Sequence, residues 1–248
     1  MEGYTGALRG RVTSGLDPGP SGRDISGLCN FAVENSFHRT ASSSHDERSV
    51  NLRGPKVRIA RQLGIPLTPK ATRIMERRPE PPGQHGATPR RKVSEYKKQL
   101  VEKQRLRAQY NVSERQLQNT FAEATRKEGH TGVALLQLLE MRLDAVVLRA
   151  GFVRTIFAAR QAVSHGHFTV NGKRTTIPSR RLQPGDVVAL TPKSRDLAAF
   201  LGPLENARPA PHRSLDREKR SVRINEIPER EQIPVICEIS LVVEYYSR

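Results

Sequence analysis

Residues 131–152, TGVALLQLLEMRLDAVVLRAGF, constrain the fold more than any other stretch of this 248-residue chain. Leu135, Leu136, Leu139, Leu143, Val146 and Val147 fall at i, i+1, i+4, i+8, i+11 and i+12, which lays one broad apolar stripe along a single helix. Gly151 ends that helix, and Arg142 and Arg149, seven apart, project together near its edge. Thr155 then caps a second helix, IFAARQAVSHG, with Ile156, Ala159 and Val163 turned inward and Arg160 facing out. Gly166 ends it. HFTV alternates like a strand, Asn171-Gly172 is a strong hairpin signal, and KRTTI returns. Pro184-Gly185-Asp186 turns the chain again into VVAL. The unit reads as two helices, a hairpin and a further strand.

What could the helix end and hairpin, VSHGHFTVNGK, do? His165 and His167 stand two apart across a helix terminus, and the nearby Asp144 and Asp186 have no recognisable ligand spacing. No motif supplies a nucleophile with an oriented base, so catalysis has no candidate set; Ser164 beside His165 is not a triad. Two histidines at a surface turn are the bland alternative. Phosphate binding fits best, because Arg142, Arg149, Arg154, Arg160, His165, Lys173 and Arg174 can converge on one side of the unit.

Charge supports that choice. The chain carries 42 Lys+Arg against 25 Asp+Glu, a formal net charge of +17. Such an excess repels itself unless a polyanion neutralises it, which makes nucleic acid the leading partner. No apolar run approaches a membrane span, and the N-terminus lacks a secretory signal pattern. The only cysteines, Cys29 and Cys237, form no C-x-x-C pair, so reduced thiols and no metal are expected. The charge is uneven: residues 1–50 hold 5 basic and 6 acidic residues, whereas 53–108 hold 16 and 4. The first segment, rich in Gly, Pro and Ser, reads as a disordered extension. The second is broken by proline. RGPKVRIARQLG forms a short helix after Pro55, stopped by Gly64. RRPEPPGQHGATPRRK is an extended loop. VSEYKKQLVEKQRLRAQY is helical, beginning at Val93 or capped by Ser94, and SERQLQNTFAEATRKEG is a further helix capped by Ser113 and stopped by Gly129.

LLEMRLDAVVLRAGF, TIFAARQAVSHGHFTVNGKRTTIPS and PGDVV together resemble the RNA-binding module named after small-subunit ribosomal protein four. That module is shared with RNA-modifying enzymes and a heat-shock protein. The flanks RGPKVRIARQLG, PPGQHG, SEYKKQLVEKQRLRAQY, SERQL and the terminal LVVEYYSR resemble the bacterial ribosomal protein family itself, from about Asn51 to Arg248. The resemblance implies an α+β fold: a mainly helical, basic first domain over 51–137, to which a C-terminal tail, 220–248, returns, and an RNA-binding module over 138–219. Residues 1–49 match nothing in it; with the charge change and a valine at position 50, the expectation is a native start near Val50, with residues 1–49 an extension from an upstream start or a dispensable tail.

The resemblance implies no enzyme and no cofactor. It implies a cytoplasmic constituent of the small ribosomal subunit that binds a multi-helix junction in the 5′ domain of the ribosomal RNA and nucleates assembly. Implied partners are that RNA, ribosomal protein five and other small-subunit proteins, and messenger RNA at its entry path, with no membrane. The rivals are a free RNA-binding stress protein and an RNA-modifying enzyme, the latter needing a catalytic domain with a nucleophilic Asp. A-form RNA buries its readable edges in a deep, narrow groove, so recognition needs fixed Arg and Lys on phosphates rather than stacked aromatics. Candidate contacts in the basic region are Arg53, Lys56, Arg58, Arg61, Arg77, Arg78, His85, Arg90, Arg91, Lys92, Lys97, Lys103, Arg105, Arg107 and Arg115. In the module they are Arg142, Arg149, Arg154, Thr155, Arg160, Gln161, His165, His167, Asn171, Lys173 and Arg174. Two departures stand out. The four-cysteine zinc knuckle of some relatives is absent, and Ile156 occupies a place where many have a basic residue.

Overall fold

A computed structural model describes residues 54–86, 88, 92–205, 207 and 210–248. The expectations placed on residues 1–50, including the native start, and on Arg53, Arg90, Arg91 and Cys29, lie outside the described residues.

Local chemistry sets the first helices. Pro55 precedes α1 (Lys56–Leu63), and Gly64 ends it. α2 (Pro69–Arg77) went unread in the sequence, although its start is well marked: Thr68 Oγ1 accepts the Ala71 N–H, and Pro69 opens the first turn. The proline-rich stretch from Arg78 to Gly86 forms no helix or strand. α3 (Glu95–Tyr110) starts at Ser94, whose Oγ accepts the Lys97 N–H, so Ser94 and not Val93 is the boundary. α4 (Glu114–Thr125) begins with a reciprocal capping box between Ser113 and Gln116. It ends at Arg126, three residues before the expected stop at Gly129.

The long helix expected over 131–152 is two helices. α5 (Thr131–Glu140) and α6 (Leu143–Arg149) are separated at Met141-Arg142. The apolar stripe is continuous, but backbone from the 177–182 segment competes for the hydrogen bonds. Leu143 N–H donates to the Arg180 carbonyl (2.8 Å), Asp144 N–H to that of Pro178 (3.1 Å), and Met141 C=O accepts from Leu182 N–H (2.8 Å). Arg142 and Arg181 pair as an isolated antiparallel bridge. A segment distant in sequence thus breaks a helix that local periodicity favours.

α7 (Ile156–Ser164) is capped by Thr155, as the sequence indicates. β1 (Phe168–Val170) and β2 (Lys173–Arg174) follow, joined by Asn171 at φ 51° and Gly172 at φ 78°. Positive φ at both central residues is the type I′ hairpin turn that Asn-Gly favours. The return strand is shorter than KRTTI; only Lys173 and Arg174 pair. β3 (Val187–Leu190), α8 (Ala198–Glu205), β4 (Arg213–Asp216), β5 (Ser221–Ile224) and α9 (Ile239–Tyr246) follow among the described residues, with short 3-10 turns at Pro192–Ser194 and Arg230–Gln232. Among the described residues, five strands form one antiparallel sheet in the order β2-β1-β3-β5-β4. Because β5 lies between β3 and β4, the sheet continues past residue 219 into the expected tail.

Two apolar clusters fill the fold. One joins α6, α7 and α8 to the sheet, with Phe152 and Phe168 edge to face at 5.4 Å. The other joins α3, α4 and α5 to Ile233, Val235 and Val242 of the C-terminal segment. Each large apolar side chain buried in them contributes about 1.5–3 kcal/mol. α9 lies along α3, where Gln99 donates to Glu244 (2.9 Å) and the Lys103 ammonium sits 4.3 Å from the Tyr245 ring centre.

Candidate nucleic-acid interface

The arginines and lysines divide into two sets. The first is held inside the protein. Arg142 and Asp144 form a bidentate pair (3.0 and 2.9 Å) in which both side chains are buried. Glu140, itself buried, accepts from Tyr110 Oη (2.7 Å), from the Arg149 guanidinium (3.0 Å) and from Arg213 (3.3 Å). Burial, then the adjacent Glu140 carboxylate, pushes the Tyr110 hydroxyl well above its ordinary value. Burial pulls the Arg149 guanidinium down, but Glu140 outweighs it and holds the group above its ordinary value. Arg160, expected to face outward, donates to the Asn111 carbonyl at the α3–α4 corner and approaches Asp144 at 3.9 Å; its side chain is only 17% exposed. These pairs form a seam between the helical region and the sheet module.

Other candidates also meet protein partners. Lys103, which is buried, pairs with Glu114 at 2.8 Å. Arg105 bonds the Leu63 carbonyl (2.9 Å) and Glu102, Arg107 bonds the Val112 carbonyl (3.2 Å), and Arg61 bonds the carbonyls of Arg78 and Glu80. The Thr155 hydroxyl is taken by its helix cap. The Asn171 amide ties the hairpin to Asp186 (2.8 Å) and Val187 N–H (2.9 Å). Arg174 is exposed but clamps the end of α7, donating to the carbonyls of Gly166 and His165 at 3.1 Å each. A side chain at 166 would place its Cβ 2.4 Å from that guanidinium, so the clamp requires glycine.

The second set faces solvent. Lys56, Arg58, Arg77, Arg78, His85, Lys92, Lys97 and Arg115 are exposed in the helical region, and none has an acidic partner among the described residues. Arg58, Gln62, Lys92, Ser94 and Lys97 line a cleft of about 610 Å³ between α1 and α3. The Lys56 ammonium lies 4.0 Å from the Phe157 ring centre, which brings α1 against α7 and places this surface beside the module. In the module, Arg154, Gln161, His165 and Lys173 are exposed. Arg154, Gln161, His165 and His167 share a second cleft, of about 490 Å³, between α7 and α8. The His165 and His167 rings are 6.0 Å apart, and His167 Nδ1 meets Ser194 Oγ at 2.8 Å. Among the described residues no three His, Cys, Asp or Glu side chains are grouped to hold a metal. Sequence reasoning missed Lys70 and Arg73, exposed on α2 with Arg77; their i, i+3, i+7 spacing after Thr68-Pro69 is the signal.

Comparison with known proteins decides the lineage of this arrangement. The family model described as the ribosomal protein S4/S9 N-terminal domain matches residues 51–140, and that of the S4 domain matches 141–188. The small ribosomal subunit protein uS4 of Thermobifida fusca is 43% identical over 199 residues, covering 79% of this chain and 98% of the relative. Those of Streptomyces avermitilis and Micrococcus luteus are each 48% identical, covering 78% and 81% of this chain and 97% and 100% of theirs. The chain belongs to the uS4 family. This is a family of structural ribosomal proteins, not enzymes, so the modifying-enzyme rival falls. The boundary between the two matched regions, at Glu140 and Met141, coincides with the break between α5 and α6. No helix among the described residues is long and apolar enough to cross a membrane.

Proposed function

We propose that the chain is a constituent of the small ribosomal subunit that binds a helix junction in the 5′ domain of its ribosomal RNA. It nucleates assembly there and adjoins ribosomal protein five and the messenger entry path. One observation carries the reading: a seam of buried ion pairs joins two surfaces of exposed cations, one on α1–α3 and one on α7 and the β1–β2 hairpin. Two neighbouring cationic surfaces on one scaffold suit two RNA arms that meet, because folded RNA is recognised by shape through phosphates and 2′-hydroxyls. The contacts narrow to exposed side chains with no acidic partner among the described residues: Lys56, Arg58, Lys92 and Lys97 on the first surface, with Arg154, Gln161 and Lys173 on the second.

Titrating small-subunit ribosomal RNA with the full chain at several salt concentrations tests the reading. Affinity falls steeply with salt, and Lys97→Ala lowers it several-fold with a salt slope smaller by about one and an unchanged melting temperature. Salt-independent affinity would refute a phosphate-based interface.

A further inference from the structure

The α7–α8 cleft has more structure than phosphate contact requires. Phosphates on a duplex can be gripped by cations on a convex surface; a concavity of about 490 Å³ is the size of a small-ligand site. Its walls are small and flat: Ala158 and Ala162 from α7, Ala199 and Pro203 from α8. Its polar groups are Arg154, Gln161, His165 and His167, and no acidic side chain lines it. The His167 ring is held in place by Ser194 at 2.8 Å and by an edge-to-face contact with Phe200 at 5.5 Å. Gln161 is exposed and carries both a donor and an acceptor, the pair needed to meet the edge of a nucleobase.

We infer that this cleft receives one unpaired, unstacked base of the bound RNA. The flat alanine and proline walls take the two ring faces, Gln161 meets the polar edge, and Arg154 neutralises the phosphate of the same nucleotide. Charge argues for this occupant over an apolar peptide: the rim offers a cation and no acid, on a protein with net charge +17. A single base also suits the chemistry of RNA recognition, in which sequence is read where bases are splayed from the helix. The inference rests on the chain's being an RNA-binding protein.

The test is a pair of footprints on small-subunit ribosomal RNA bound by the full chain, one with a base-specific methylating reagent and one with hydroxyl radicals. Ala199→Leu narrows the cleft at an exposed helical position, where leucine is nearly as good a helix former as alanine. Gln161→Ala leaves the cleft open and removes its polar edge. The native chain should protect at least one unpaired base that both variants leave reactive, with the hydroxyl-radical footprint retained and affinity lower by about tenfold, the size of one base contact. If Ala199→Leu lowers the melting temperature, the Gln161→Ala result decides. A normal hydroxyl-radical footprint with no base protected, or with the same base protected by both variants, overturns the cleft assignment alone. The absence of any footprint overturns the RNA-binding reading with it.

Discussion

Arg149 and Arg58 are the same side chain in two regions of one basic protein, and they do opposite things. Arg149 is turned into a seam where Glu140 also holds Tyr110 and Arg213. Arg58 stands at an open cleft beside Lys92 and Lys97, with no carboxylate among the described residues to neutralise it. The seam cation is satisfied by the protein and adds nothing to the charge that RNA meets at close range. The cleft cation is incomplete without an anion. On the proposed reading, a basic residue of this protein is available to RNA where the fold leaves it without an acidic partner.

Removing the anion at the centre of the seam should have the largest effect. Glu140→Gln leaves Arg149 and Arg213 facing each other in a buried site without their charge partner. Breaking a buried pair from one side costs about 3–5 kcal/mol. Chemical denaturation should show a loss of that order. Cleft substitutions such as Lys97→Ala should leave stability unchanged. An unchanged unfolding midpoint for Glu140→Gln would erase the distinction between the two regions.

Arg160 sharpens the comparison, because its sequence position points outward whereas the fold gives it protein partners. Periodicity correctly puts Ile156, Ala159 and Val163 inward, and Arg160 off that face. The periodicity of α7 says nothing about the α3–α4 corner, which comes from 49 residues earlier and covers that side of the helix. Arg160→Ala removes the bond to the Asn111 carbonyl and desolvated packing around the guanidinium. We expect a loss of about 1–3 kcal/mol in stability. RNA affinity at temperatures well below melting should change less than for Lys97→Ala. A stable variant with strongly weakened RNA binding would return Arg160 to the interface.

The same reasoning separates what could be read in the sequence from what could not. The Asn171-Gly172 turn, the Thr155 and Ser113 caps and the end of α1 at Gly64 are decided within a few residues, and each was legible. The α5–α6 break was not, because the competing hydrogen bonds come from Pro178 and Arg180. Nor was the pairing of β4 with β5, whose short strands lack a strong turn signal; Arg220 there adopts φ 49° without being glycine or asparagine. In the candidate site, Arg58 and Lys97 stayed exposed as their run of charge implied. The roles of Arg142, Arg149 and Arg160 depended on acids and carbonyls supplied by the fold. Arg213, 73 residues from Glu140, could not be connected to it by any local pattern.

The smallest expected effect lies at the far end of the seam. His212 precedes Arg213 and is buried, and its backbone carbonyl accepts from Asn225 N–H at 3.0 Å. Burial first, then the adjacent Arg213 charge, pushes its imidazole below the ordinary value of 6.5; Gln232 and Glu140 oppose this. The unfolded chain therefore takes up a proton more readily than the folded one. The stability His212 contributes is complete above the ordinary histidine range and is lost as pH falls through it toward the folded value. The melting temperature should decline between about pH 7 and pH 5, and His212→Gln should reduce the slope of that decline. Lys97 is exposed and lies outside the seam, so Lys97→Ala should leave the slope intact. If His212→Gln melts with the same pH profile as the native chain, the acid sensitivity does not reside at this end of the seam, and the two regions differ in charge pairing but not in their response to protons.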